Sequence, residues 1–243
     1  MTAPSAPTDD LLRVRRHPER GTRDPATVRA ILDAGLVCHL GYLHDGRPVV
    51  VPMLYGRDGD TLVLHGSAAS RALRAGGAGL PVCATVTIVD GLVLARSAFH
   101  SSANYRSVVV HGEAVAIEDR DAKLAALAVL TDHVAPGRWD EARPPTDREL
   151  AATGVLRLSL AHAVAKIRDG GVADDETDLD LAVWAGVVPL ATVVGAPQPA
   201  EGLAPDLDLP AAVTSASPPA VGAPAALVAT DAAVAGDIRC RRR

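Results

Sequence analysis

Apolar and polar positions alternate along most of this chain in short runs broken by turn residues. After Gly35 come "LVCHLGYL", "PVVVPMLY" and "TLVLHG", separated by "HDGR" and "GRDGD". Asp-Gly between apolar runs is a strong hairpin signal, because tight hairpin turns need residues that accept positive φ. A three-strand antiparallel meander is therefore predicted. Two longer strand patterns succeed it, "PVCATVTIVDGLVLARS", bent or turned at Asp90-Gly91, and "YRSVVVHGEAVAIED". The last strand patterns, "GVLRLSL" and "HAVAKIR", bring the sheet to six strands or more.

Helical patterns interrupt the strands at two places. In "RDPATVRAILDAG", Asp24 is placed to cap the helix, Pro25 takes its first position, Gly35 ends it, and Val28, Ile31 and Leu32 share one face. Farther on, "DRDAKLAALAVLTDHV" is helical by propensity, and "TDRELAAT" carries a Thr146–Glu149 capping box. Strands joined by hairpins, with helices only at crossings, predict a mainly β (α+β) domain: an antiparallel barrel of about six strands with flanking helices. Residues 13–192 are expected to form that domain, residues 1–12 a disordered N-terminus, and residues 193–243 a low-complexity, disordered Ala/Pro-rich tail.

Composition narrows the function classes. Of 243 residues only two Trp, three Tyr and one Phe are aromatic, so the core is built from Ala, Val and Leu. A net charge of −5 gives no concentrated positive field, which argues against a nucleic-acid-binding surface. Cys38, Cys83 and Cys240 are odd in number and unpaired by spacing, as expected of a reducing cytoplasm. No apolar run of membrane-spanning length occurs. The eight histidines form no ligand-spaced helix motif, and "DDETDLD" lacks the Gly and Glu of a calcium loop, so no metal site is expected. Walker A, G-x-S-x-G and post-strand G-x-G-x-x-G motifs are missing.

One stretch has positive chemical content. In "LHGSAASRALRA" a strand breaks into small residues and turns helical at Ser70-Arg71. Early helix amides, the hydroxyls of Ser67 and Ser70 and a two-pronged contact from Arg71 suit a phosphate. The competing reading is an ordinary capped surface helix. A second stretch, Asn104, Tyr105, Arg106 and Ser107, sets polar and aromatic groups before an apolar strand, where a planar ligand could be met. In a third, Trp184 stands before Gly186 and Pro189, either as a ring stacked on a ligand or as the plug of a barrel end.

In order along the chain, "RHPERG", "PVVVPMLYGRDGDTLVLHGSAASRALRA", "DGLVLARSAFHSSANYRSVVVHGEA", "PGRW" and "VWAGVVPL" resemble the flavin-nucleotide-binding branch of the pyridoxamine 5'-phosphate oxidase-like proteins, to which nitroimidazole-resistance proteins are related. The resemblance implies a split β-barrel, a homodimer, and FMN in clefts at the subunit interface. It sets Val50, Val51 and Pro52 along the flavin ring and His65, Ser67, Ser70 and Arg71 around the phosphate. It places Asn104, Tyr105, Arg106 and Ser107 beside the flavin from the other subunit, and Trp184 near the cofactor. The chain departs from the nitroimidazole-resistance relatives at Ser70-Arg71, where they carry Gly-His, and from the vitamin-forming oxidases in lacking an arginine-rich C-terminal substrate motif.

The resemblance thus implies an FMN-dependent oxidoreductase acting on a small redox substrate, with His100, Tyr105 and Arg106 as candidates for stabilising reduced flavin or relaying a proton. Three alternatives stay open at this level: a non-catalytic flavin-binding or sensing module, a deazaflavin protein, and a haem-binding barrel using His65, His100 or His111.

Overall fold

The structure, a computed structural model, describes residues 10–76, 79–204 and 207–214. Its first helix, α1 (Pro25–Ala34), is capped by the Asp24 carboxylate, which accepts from the Thr27 amide at 2.8 Å. The meander comes next as β2 (Val37–His44), β3 (Arg47–Asp58) and β4 (Thr61–Ser67). Asp45 and Gly46 close the first hairpin with φ of 51° and 72°, the backbone that the Asp-Gly pair predicts.

A one-turn helix, α2 (Arg71–Ala75), leads into β5 (Leu80–Leu94), which pairs along its length with β6 (Ser102–Ala116). Asp90-Gly91 does not turn the chain. It forms a bulge, where the register jumps from Val89 to Gly91 and Asp90 is left over. Then come α3 (Arg120–Val134), α4 (Arg138–Glu141) and α5 (Asp147–Ala152), the last with the complete Thr146–Glu149 capping box. The sheet ends in β7 (Thr153–Ser159), β8 (Ala163–Arg168) and β9 (Gly186–Pro189), and two residues before α1 form β1 (Gly21–Thr22).

Strands β2 to β7 close a ring in the order β6-β7-β4-β3-β2-β5, with β5 returning to β6. Beyond the ring the long β5–β6 ribbon continues, edged by β8 and β1 on one side and β9 on the other. The sequence pattern does not predict β1 or β9. They are short edge pieces held by pairing to a neighbour, so hydrophobic alternation marks them poorly.

Leu40, Leu62, Leu64, Val86, Val108 and Leu156 fill the barrel with almost no exposure, and Val28, Ile31 and Leu32 of α1 close it. Tyr55 is buried against that helix, donating its hydroxyl to the Leu32 carbonyl at 2.5 Å. On the outside α3 crosses β3 and β4, packing Ala126 and Leu130 over Val63 and Val155. The crossing is close: a Cβ on Gly56 would stand 2.8 Å from Leu130 Cα.

Residues 193–204 and 207–214 are largely exposed, apart from α6 (Ala211–Thr214), where Ala212 is buried and its amide donates to Glu141 Oε1. The remainder of the tail, Cys240 included, and the first nine positions lie outside the described residues. No helix among the described residues is long and apolar enough to cross a membrane.

Candidate functional site

The ring is closed unevenly. β3 pairs with β4 only through Tyr55–Asp58, so Arg47 to Leu54 pair on one side with β2 and offer their other edge to no strand. Likewise the end of β4, His65 to Ser67, pairs with β7 alone. The two strands part there, and α2 comes directly after. The opening holds a cleft of about 450 Å³ lined by His44, Asp45, Arg47, Val49 and Arg71, a volume within the usual range for small-molecule pockets. Arg71 thus shares a cleft with the strand carrying Val50, Val51 and Pro52, all three exposed.

The phosphate-cradle reading of "HGSAASR" is modified in its parts. α2 is only five residues long, so its dipole contributes little. Ser70 caps it, accepting from the Leu73 amide, and Ser67 accepts from the Ala69 amide at 3.2 Å. Both hydroxyl oxygens are used as acceptors, which leaves each O–H to donate outward. Arg71 is exposed, and among the described residues no carboxylate lies within ion-pair distance of it or of Arg47. Sequence reasoning misses Arg47 because "HDGR" reads as turn; only its place immediately after the hairpin brings it to the cleft.

His65 is half-buried beside the same opening, and its Nδ1 is shut off from solvent with no hydrogen-bond partner. Burial pulls its pKa down, so the ring is neutral at pH 7. A neutral imidazole offers a hydrogen bond or a metal ligand and adds no charge toward a phosphate.

The second candidate group sits at the other end of the β5–β6 ribbon. Tyr105 and Ser107 are half-buried on the sheet's outer face, where Ser107 donates to the Lys166 carbonyl at 3.2 Å. Arg106 makes a two-pronged pair with the bulged Asp90 at 2.8 and 2.6 Å. Asn104 is buried and accepts from Arg168, which also donates to the Gly170 and Gly171 carbonyls. His100 pairs with Asp175 at 3.1 Å, and Arg96 with Asp174 at 2.6 Å, fastening the loop after β8 to the ribbon tip.

Trp184 does not plug the barrel. It is 65% exposed and lies over Gly186, where a Cβ would meet its ring at 2.9 Å. Within the chain the structure therefore brings Arg71, Ser67, Ser70 and His65 to the split beside Val50–Pro52, and holds Asn104–Ser107 and Trp184 apart from them along the ribbon. Among the described residues no three His, Cys, Asp or Glu side chains gather to hold a metal ion.

The sequence pattern of the pyridoxamine 5'-phosphate oxidase family matches residues 24–167, the barrel and the helices that flank it. The chain belongs to the pyridoxamine 5'-phosphate oxidase family. Similar solved structures agree with the fold. The flavocytochrome Anf3 of Azotobacter vinelandii is 39% identical over 87% of this chain and 98% of that one, with a TM-score of 0.80. A FAD and heme binding protein of Mycobacterium smegmatis is 39% identical over 82% of this chain and 97% of its own, with a TM-score of 0.78. A protein of Bacteroides thetaiotaomicron described as a 5-nitroimidazole antibiotic resistance protein is 23% identical over 60% of this chain and 86% of that one, at a TM-score of 0.50, and shares the fold. Among curated proteins nothing matches the chain.

Proposed function

We propose that this member of the family is a flavin- and haem-binding oxidoreductase, acting as a homodimer, with the flavin nucleotide in the split between β3 and β4. The observation that carries the reading is the cleft itself, in which Arg47 and Arg71, cations without a carboxylate partner among the described residues, face a strand edge with no neighbour. An anionic planar cofactor suits that combination: the edge of β3 offers amides and carbonyls to ring heteroatoms, and the arginines and serine hydroxyls suit phosphate oxygens. Of the two relatives at 39% identity, the flavocytochrome supports a flavin together with a haem, and the FAD and heme binding protein supports FAD over the FMN that the family resemblance implies.

When bound, the flavin supplies two-electron and one-electron chemistry and the haem one-electron chemistry. The protein's own residues bind, orient and tune. His65, neutral and with an unpartnered ring nitrogen, fits haem iron or a flavin hydrogen bond better than the paired His100 does. Arg106 reaches any ligand already compensated by Asp90, so the pair orients more than it charges. Tyr105 carries the remaining hydroxyl able to move a proton in this group.

Support for two copies comes from the sheet's outer face. Val50 and Leu43 are exposed there at 64% and 67%, neighbouring apolar side chains of the kind that mark an interface. The family resemblance has the second copy supply its Asn104–Ser107 segment to the first copy's flavin.

The direct test is the absorbance spectrum of the protein as purified, then mass analysis of the released cofactors. A two-band flavin spectrum with a Soret band supports the reading. Neither chromophore, even after reconstitution with FAD, FMN and hemin, sinks it. Turnover of NAD(P)H with an electron acceptor separates an oxidoreductase from a non-catalytic binding module.

A further inference from the structure

We propose that the tip of the β5–β6 ribbon is a docking platform for an arginine-rich segment, and that its occupant is this chain's own stretch 239–243, "RCRRR". The platform is independent of the flavin site: it is an exposed aromatic surface for which the proposed function has no use.

A loop held at both ends builds the platform. At its start Asp174 pairs with Arg96 at 2.6 Å and Asp175 with His100 at 3.1 Å. At its end Gly186 pairs with Leu94, the last residue of β5. Residues 174–186 are thus fastened to the turn between β5 and β6. Leu179, Leu181 and Val183 of the loop are exposed, and Trp184 lies in solvent over Gly186. Phe99 stands on the turn itself, 88% exposed, its ring edge-on to His100 with centroids 5.2 Å apart. The chain has one Phe and two Trp. Leaving that Phe and one Trp in water at the same end of the ribbon marks a contact surface, because buried aromatic rings dominate interface energetics.

The charge around the rings says what covers them. Residues 171–190 contain five carboxylates and no Lys, Arg or His. Asp174 and Asp175 have partners on the turn, whereas Glu176, Asp178 and Asp180 have no ion-pair partner among the described residues. Arginine fits such a surface best, since its planar group both takes carboxylates two-pronged and stacks on aromatic faces. The chain has two arginine clusters. The one at Arg13–Arg20 is held elsewhere: Leu12 is buried, Val14 lies against Gly21 of β1, and Arg15 and Arg20 pair with Asp10 and Glu19. The one at 239–243 lies outside the described residues, beyond Thr214 of α6. The intervening chain spans roughly 80 Å when fully extended, about twice the diameter of a compact domain of this size. Single exposed ion pairs contribute little. Several on one tethered segment act together, because the tether makes the encounter intramolecular.

Hydrogen exchange read by mass spectrometry on the full-length protein tests the contact. Wild type is compared with a variant carrying Arg239→Glu, Arg241→Glu, Arg242→Glu and Arg243→Glu, and with one carrying Glu176→Lys, Asp178→Lys and Asp180→Lys. At low salt, residues 174–186 of wild type are expected to exchange several-fold more slowly than in either variant, and high salt should erase the difference. Joining both sets of substitutions exchanges the signs and should restore the protection. Should the lysine variant fail to fold, the arginine variant and the salt dependence decide alone, since neither alters the platform. Exchange that is the same in wild type and the arginine variant overturns the proposal, as does a folded combined variant without protection. Protection that survives the arginine reversal and grows with protein concentration identifies a second copy as the occupant and overturns it equally.

Discussion

Replacing Arg71 by Ala removes the guanidinium from the cleft between β3 and α2 and should change binding far more than folding. Arg71 is exposed and has no carboxylate partner among the described residues, so truncation strands no buried charge. Surface substitutions of this kind usually change stability by no more than about 0.5 kcal/mol. A hydrogen bond to a charged group contributes about 1.5–3 kcal/mol net. A two-pronged contact with phosphate, partly screened at the mouth of the cleft, should stay inside that range, which corresponds to a loss of roughly 10- to 150-fold in flavin affinity. Arg71→Lys keeps the charge and loses the fork, so it should fall between the two. The assay is a fluorescence titration of stripped protein at low and moderate salt, and the wild-type advantage should shrink as salt rises. Affinity within about twofold of wild type at low salt, with an unchanged melting curve, would refute the phosphate role of Arg71.

Three further outcomes are expected from the structure. Gly56→Ala puts a Cβ 2.8 Å from the Leu130 Cα, against helix backbone that cannot swing aside; a loss of about 1–3 kcal/mol should appear as a melting temperature lowered by several degrees, read by circular dichroism. Glu149, held by Arg143 and the Thr146 amide, has its pKa pushed down to about 2. Its depressed value means that its stabilising contribution is complete above the ordinary carboxylate pKa and is lost as pH falls toward 2. Denaturation midpoints of wild type and Glu149→Gln should therefore converge in acid and differ at neutral pH. Cys38 is fully buried and its thiol is pushed up to about 12, so mass spectrometry after iodoacetamide at pH 8 should find it unmodified in native protein and modified once urea unfolds the chain.

The features legible in the sequence are those written within a few residues. The Asp45-Gly46 turn, the Asp24 and Thr146 caps and the alternating strands all fold where local chemistry directs them. The bulge at Asp90 is legible only as an ambiguity, since Asp-Gly serves a bulge as well as a turn. Contacts across long sequence separations are not legible: Arg168 with Asn104, Arg96 with Asp174, and β9 along β5 depend on the whole sheet being assembled. For the candidate site, "HGSAASR" points to an anion. That Arg47 joins Arg71 across the split emerges only from where β3 and β4 part.

Native mass spectrometry of the intact purified protein tests the central claim most directly, because one spectrum reports both subunit number and cofactor content. The expected species is a dimer carrying one flavin nucleotide and one haem for each chain. A monomer, or a dimer whose mass leaves no room for a flavin after reconstitution, would contradict the proposed function.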